Sequence, residues 1–324
     1  MPVTISDVAR AAGVSKSTVS RVLNTGAEVD AATAVRVREV IDALGYVPRL
    51  GAVGLARGSS RTIGMFIPSL TWPWMGEVVQ GVADAVEAAG YGMLLFTAGG
   101  GPRSTAHFTA QFSARAFDGL LVIVPEGSLG PVLDMHRRGL PVVLIDDHGH
   151  HRPELPSVAT TNRAGGAAAA ARLHAAGRRR PLVVTGPPRF GCVRDRLAGF
   201  RTALRPALSL DGEFTEETGR TAVEHALARG VGFDSVFAHN DLIAAGALRA
   251  LRAAGRTVPD DVAVVGFDDL PMARHTDPAL TTVRQPMRAM GAGAAQLLLD
   301  GLGGAPLTRE PLVLPTELVV RDSA

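Results

Sequence analysis

Cysteine occurs once, at Cys192, in a chain of 324 residues. That excludes an intramolecular disulfide and fits a reducing compartment. Lysine also occurs once, at Lys16, every other basic residue being arginine; this alone assigns Lys16 no role. No stretch of about 18 apolar residues is free of charge and turn signals, so no membrane span is expected. The opening M-P-V-T-I-S-D lacks a basic segment leading into an apolar core, and no secretory leader is expected there. A cytoplasmic protein follows. Net charge is scarce as well, with 33 Lys+Arg against 31 Asp+Glu. Residues 1–60 hold seven basic (Arg10, Lys16, Arg21, Arg36, Arg38, Arg49, Arg57) and five acidic side chains (Asp7, Glu28, Asp30, Glu39, Asp42). Their excess of two equals the whole-chain net charge of +2, so the remainder is neutral. This excludes bulk coating of a polyanion but allows a compact basic element on a neutral body. The length suggests two domains and room for a small third.

What is present is densest at residues 4–24, T-I-S-D-V-A-R-A-A-G-V-S-K-S-T-V-S-R-V-L-N. Thr4 and Asp7 have capping-box spacing for a helix whose Val8, Ala9 and Ala12 share one face. Gly13 supplies a turn that needs positive φ. Ser15 can cap a second helix that turns Val19, Val22 and Leu23 inward and leaves Lys16, Ser17, Ser20 and Arg21 outward. Two short helices around a Gly turn form a helix-turn-helix, and a cation, hydroxyls and an arginine at the exposed helix start suit base edges and phosphates. Asp30 can cap a third helix through Leu44, with Ala34, Val37, Val40, Ile41 and Leu44 on one stripe and Gly45 ending it.

This segment closely resembles the DNA-binding signature of the LacI/GalR family of bacterial transcription regulators, T-I-x-D-V-A-x-x-A-G-V-S-x-x-T-V-S-R-V-L-N, at each motif position. The resemblance implies a dimer on near-palindromic double-stranded operator DNA. Lys16, Ser17 and Arg21 are the expected base contacts; Thr4, Ser15, Ser20, Asn24 and Thr33 are expected on phosphates. It further implies a hinge after Tyr46, of the kind Y-x-P-N-x-x-A-x-x-L, that becomes helical on DNA and wedges a Leu pair into the minor groove. Tyr46, Pro48, Ala52 and Leu55 match, which makes Leu55 the expected wedge. Arg49 replaces the usual Asn, and Gly51 and Gly54 fall inside the would-be helix, each costing about 0.8–1 kcal/mol against Ala. The expected hinge is therefore softer than the family norm, and Gly51→Ala/Gly54→Ala should tighten operator binding.

From Thr62 the pattern changes. I-G-M-F-I-P, Y-G-M-L-L-F-T, G-L-L-V-I-V and P-V-V-L-I-D are short apolar runs, with helix-length segments near 75–89, 104–115 and 128–138 between them. Apolar strands alternating with helices indicate a parallel sheet covered on both faces. The pattern restarts with a helix over 162–176, P-L-V-V-T-G, helices near 192–205 and 217–229, S-V-F-A-H, a helix over 240–254, and V-A-V-V-G-F-D-D. A helix near 287–301 and a strand over 310–320 close the chain. The expected architecture is an all-α helix-turn-helix headpiece (1–47), a hinge (48–60) and an α/β body (61–324) of two doubly wound parallel-sheet lobes, like the periplasmic sugar-binding proteins. The resemblance implies three crossings between lobes, so the first lobe is expected at 61–159 and 288–318, the second at 160–287. No long Leu-rich segment follows Val320, so a tetramerising helix is not expected and a homodimer is.

Ligands of open α/β sheets bind beyond the carboxyl ends of strands. The polar residues there are Asp146, Asn240, Asp241, Asp268 and Asp269, with Arg196 in C-V-R-D-R-L-A-G-F, similar to the family's R-x-x-G-F. Carboxylates, an amide and a guanidinium fork suit a hydroxyl-rich ligand. Trp72 and Trp74, the only tryptophans, and Phe214, which the resemblance places where family members can carry a ligand-facing aromatic, offer faces for the C–H side of a pyranose. Trp72, Trp74, Asp146, Arg196, Phe214, Asn240 and Asp268 are the expected effector contacts, with Met287, Cys192 and Val124 at most in the wall. Asp146 and Asp241 have an alternative as helix caps or turn formers, and Trp74 as packing beneath a helix. The expected effector is a carbohydrate; a purine or nucleoside co-repressor is the alternative, as is a solute-binding module without DNA function. No catalytic residue, metal or cofactor is expected. Gly99-Gly100-Gly101-Pro102 lacks the spacing of a phosphate loop. His148, His150 and His151 have no Cys or carboxylate to complete a ligand set. Gly291-Ala292-Gly293 reads as close helix packing, and no nucleophile–base constellation supports an enzyme.

Overall fold

The computed structural model describes residues 3–24, 29–47, 59–98, 102–123, 130–146 and 155–324, without the side chains of Asn24, Pro102 and Thr105. The hinge residues 48–58, with Leu55 among them, lie outside this range, as do Val124, His148, His150 and His151.

Three helices form the headpiece: α1 (Ile5–Ala12), α2 (Lys16–Asn24) and α3 (Ala31–Leu44). The Thr4 backbone N–H and hydroxyl donate to the Asp7 carboxylate at 3.0 and 2.7 Å, fixing the start of α1. Gly13, at φ 67°, ends it in the left-handed region that only glycine enters without strain. The Ser15 hydroxyl accepts from the Thr18 N–H at 3.1 Å and Asp30 accepts from the Thr33 N–H at 3.1 Å, so both expected caps form. Val8, Ala9, Ala12, Val19, Val22, Ala34 and Val37 pack as one small core. Leu44 departs from the expected stripe: it is 38% exposed and outside that core, against which Val40, Ile41 and Tyr46 pack instead. Arg36 donates to the Ala12 carbonyl at 3.1 Å and ties α3 to the end of α1.

The first lobe contains β1 (Thr62–Ile67), α4 (Met75–Ala88), β2 (Gly92–Thr97), α5 (Pro102–Ser113), β3 (Gly119–Ile123), α6 (Gly130–Arg137), β4 (Val142–Ile145) and β5 (Ser157–Thr160). The second contains α7 (Asn162–Ala175), β6 (Pro181–Thr185), α8 (Gly191–Phe200), β7 (Leu208–Asp211), α9 (Glu216–Ala228), β8 (Ser235–Ala238), α10 (Asp241–Ala253), β9 (Ala263–Asp268) and β10 (Thr281–Arg284). Then come α11 (Met287–Leu302), β11 (Leu312–Leu314) and β12 (Glu317–Val319). The two six-stranded sheets run β2-β1-β3-β4-β5-β11 and β7-β6-β8-β9-β10-β12. Among the described residues all pairings are parallel except β10–β12. Strands β3 and β4 are buried at every residue, as continuous apolar runs between helix layers require.

Four features differ from the sequence pattern. β5 (S-V-A-T) and β7 (L-S-L-D) carry no apolar run and are invisible to it. Helix α8 stops at Phe200 rather than near 205; the Thr202 hydroxyl bonds the Gly199 carbonyl at 2.6 Å, and Pro206 follows. The single closing strand is two strands, one in each sheet. Residues 317–324 therefore return to the second lobe, where Val264 N–H donates to Ser323 O at 2.7 Å. The chain accordingly crosses between lobes at 160–162, 284–287 and 314–317. Helix α11 returns to the first lobe and packs on α4 with Gly291 at the crossing. A Cβ on Gly291 would lie 2.0 Å from the Val78 carbonyl, so only glycine allows that approach.

Candidate functional site

Two surfaces carry chemistry. On the headpiece, the start of α2 presents Ser15, Lys16 and Ser17, all exposed, and Arg21 is exposed one turn on, with Ser20 half-buried. The Ser15 hydroxyl is bonded to those of Ser17 and Thr18 at 2.7 and 2.8 Å, which orders the hydroxyls on this face. No acidic residue lies in the first turn of α2, leaving its positive helix end and Lys16 together. Thr4 is exposed; its hydroxyl serves Asp7 and holds that carboxyl below its usual range. Thr33, half-buried, gives its hydroxyl to Asp30 at 3.3 Å. The Asn24 side chain and Leu55 fall outside the described residues.

The second surface is the cleft between the lobes, an opening of about 500 Å³ including its solvent-open mouth. Trp72, Trp74, Asp146, Arg196, Phe214, Asn240 and Asp268 all line it, joined by Pro73, Phe190, Cys192 and Gln285. Strand ends deliver the acids. Asp146 closes β4 at φ 58° and Asp268 closes β9 at φ 112°, conformations rare for residues with a side chain and stored at sites that need them. Asp269, at φ 55°, turns the other way and takes hydrogen bonds from Arg284 at 2.8 Å and Arg321 at 2.5 Å. Asp241 also leaves the cleft: its carboxylate accepts from Leu270 N–H at 2.7 Å and Thr282 hydroxyl at 2.5 Å, tying α10 to β9 and β10. Asn240 caps α10 with its side-chain oxygen on Ile243 N–H at 2.8 Å, so its NH₂ remains a donor toward the cleft.

Arg196 is 3% exposed. Its Nε donates to Asn162 Oδ1 at 2.8 Å and its Nη1 to the His239 carbonyl at 2.5 Å, while Nη2 stands 3.7 Å from Asp268 Oδ1. The guanidinium lies over the Phe267 ring at 3.8 Å. Burial pushes the Asp268 carboxyl up to about 6, against the pull of Arg196. Burial, and after it Asp146, pushes the Cys192 thiol up to about 12, which keeps it protonated and unreactive. Across from this floor stands a wall of rings: Trp72–Trp74 at 6.4 Å, Trp72–Phe190 edge-on at 6.1 Å, and Phe190–Phe214 stacked at 6.0 Å. Arg189 covers the Phe190 ring at 4.8 Å and pairs with Glu213 at 3.5 Å.

Pro73, Phe190 and Gln285 are the cleft residues that sequence reasoning missed; Pro73 lies between the two expected tryptophans. Phe190 precedes α8 and Gln285 precedes α11, and both offered only the signal of a residue just before a helix. Met287 is buried in the first-lobe core and does not line the cleft. Among the described residues no cluster of three or more His, Cys, Asp or Glu is placed to hold a metal, and no helix is long and apolar enough to cross a membrane.

Comparison with known proteins bears on both surfaces. Residues 4–49 match the model for bacterial regulatory proteins of the lacI family, and residues 149–324 match the periplasmic binding protein-like domain. The chain is 35% identical over 335 residues to the HTH-type transcriptional regulator CelR of Thermobifida fusca, covering 99% of this chain and 98% of that one. Among solved structures it is similar to a CelR–cellobiose complex, with TM-score 0.75 and 33% identity over 99% of this chain and 100% of that one. It is also similar to the Lac repressor dimer bound to operator and the anti-inducer ONPF, with TM-score 0.89 and 27% identity over 100% and 99% of the two chains.

Proposed function

Because the chain belongs to the lacI family of bacterial regulatory proteins and is a DNA-binding transcriptional regulator rather than an enzyme, we propose that a saccharide in the inter-lobe cleft controls its grip on operator DNA. Regulators of this family act as dimers on operator DNA, and this one is a repressor of that kind. The single observation that carries the effector reading is the Arg196–Asp268 pair facing a wall of four rings in one cleft. Two neighbouring hydroxyls match the pair, one oxygen accepting from Arg196 and one O–H donating to Asp268. Indole and phenyl faces suit the C–H side of a pyranose. Asp146 and Asp268 outnumber the one cation among the described lining residues, which favours an uncharged saccharide over a sugar phosphate or sugar acid.

Residues 1–47 serve as the DNA-reading headpiece, 48–60 as the connecting hinge and 61–324 as the effector-binding and dimerising body, in the cytoplasm. Lys16, Ser17 and Arg21 read bases; Thr4, Ser15, Ser20, Asn24 and Thr33 hold phosphates; Leu55 wedges the minor groove. The cleft contacts are Trp72, Trp74, Asp146, Arg196, Phe214, Asn240 and Asp268, with Phe190 and Gln285 added. Footprinting of the protein on the DNA upstream of its own gene, with and without cellobiose, maltose or ribose, tests the proposal. Protection at two half-sites one helical turn apart, altered by a saccharide, is the expected result. No protection removes the operator reading. Protection altered by hypoxanthine or guanine and by no saccharide overturns the carbohydrate reading.

A further inference from the structure

The two polar ends of the cleft, Arg196 and Asp268, are joined a second way, behind the ligand space. Arg196 Nε donates to Asn162 Oδ1 at 2.8 Å. Asn162 Nδ2 donates to the Thr160 hydroxyl at 3.1 Å, and that hydroxyl donates to Gln285 Oε1 at 2.8 Å. Gln285 Nε2 donates to Asp268 Oδ1 at 2.7 Å. All five side chains are buried, from 1% exposed at Asn162 to 8% at Gln285. A guanidinium can only donate and a carboxylate can only accept, so the two ends fix the direction of every bond between them. Neither amide can reverse without leaving two acceptors or two donors face to face in a buried place, a cost of about 1–3 kcal/mol.

Two of the middle links, Asn162 and Thr160, are not part of the cleft lining, while the third, Gln285, borders it. Thr160 ends β5, a strand of the first-lobe sheet, at the first crossover, and Gln285 sits on the second. The other link between crossovers, from Thr161 to Thr316, is separate: Thr316 N–H donates to the Thr161 hydroxyl at 2.8 Å and the two hydroxyls meet at 2.9 Å. Resting on the effector reading above, we infer that Thr160 is a positioning residue that, through the cleft residue Gln285, carries occupancy of the Arg196–Asp268 floor to the lobe crossovers. A ligand that accepts from Arg196 and donates to Asp268 binds the two ends of a chain whose direction is already set. It competes for the donor at one end and the acceptor at the other, weakens the end bonds of the chain, and so shifts the balance between arrangements of the first crossover against the second.

Thr160→Val keeps the volume and β-branching of the side chain and removes its hydroxyl, cutting the chain at a point that touches no ligand. Effector affinity is read from fluorescence of Trp72 and Trp74, the only tryptophans. Coupling is the ratio of operator affinities without and with effector. The probe is whichever of cellobiose, maltose and ribose shifts wild-type fluorescence. Thr160→Val should change effector Kd by less than about threefold while reducing the coupling ratio at least tenfold. Thr160→Ser should restore most of the ratio, and Thr161→Val, outside the chain of donors, should retain it. An unchanged ratio in Thr160→Val overturns the inference. So does an equal loss in Thr161→Val, which would assign the effect to general crossover stiffness. A wild-type protein whose operator affinity ignores all three saccharides would instead remove the effector reading, and this inference with it.

Discussion

Asp268 trades stability against ligand chemistry. Burial raises its carboxyl to about 6, so the neutral form is favoured by folding, and the stability it contributes is lost as pH rises through about 6. Asp241 is raised well above its ordinary value for the same first reason, and acts in the same direction. His239 acts the other way. Burial holds its imidazole well below 6.5 and neither ring nitrogen has a hydrogen-bond partner among the described residues, so its contribution is lost as pH falls below about 6.5. Asp268→Asn should therefore gain roughly 1–3 kcal/mol over wild type at pH 7.5, about half of that at pH 5 and little at pH 4, measured by urea unfolding at each pH. Saccharide affinity of the wild type should fall below about pH 6, as the carboxylate loses acceptor capacity, and Asp268→Asn should be weak and flat across the range. A wild-type affinity that rises on acidification would place the ligand elsewhere than on Asp268.

At the scale of elements, three helix pairs approach through facing glycines: Gly81 with Gly291 on α4 and α11, Gly166 with Gly199 on α7 and α8, and Gly219 with Gly246 on α9 and α10. Close packing at Gly291 was legible in the sequence because two glycines sit one residue apart inside a helical pattern. Gly166 gave no such sign that it faces Arg196. A Cβ there would lie 2.1 Å from the Arg196 carbonyl, so Gly166→Ala must move α8 and the guanidinium with it. The expected cost is about 1–3 kcal/mol in stability, with saccharide affinity at least tenfold weaker by tryptophan fluorescence. Gly76→Ala, where no described residue lies within 4 Å of the added Cβ, serves as the neutral comparison. The contrast describes what sequence can carry. The caps at Thr4, Ser15 and Asp30 and the strand-end acids Asp146 and Asp268 depend on neighbours within a few residues and on a repeating α/β pattern. Thr160 and Gln285 meet across 125 positions, and the Thr160 hydroxyl that ends β5 finds its acceptor there, so neither was legible.

The molecule as a whole places its charge where the headpiece is. The excess of two basic residues within 1–60 accounts for the entire net charge, and the larger body contributes none. A neutral body gives polyanionic DNA no non-specific hold, so the salt dependence of operator binding should come from headpiece cations. In a dimer each of them counts twice. Lys16 is exposed at the positive end of α2 with no acid in the first turn, so its charge is available to the DNA. Removing it by Lys16→Gln takes two cations from one complex. Counterion release then predicts that the slope of log affinity against log salt concentration becomes shallower by about two. Loss of a base contact from each recognition helix adds about 1–3 kcal/mol per half-site at any salt. The two effects separate in one titration: the slope reports the charge, and the offset extrapolated to high salt reports the base contact. A Lys16→Gln protein with the wild-type slope and offset would show that α2 meets the operator through other residues.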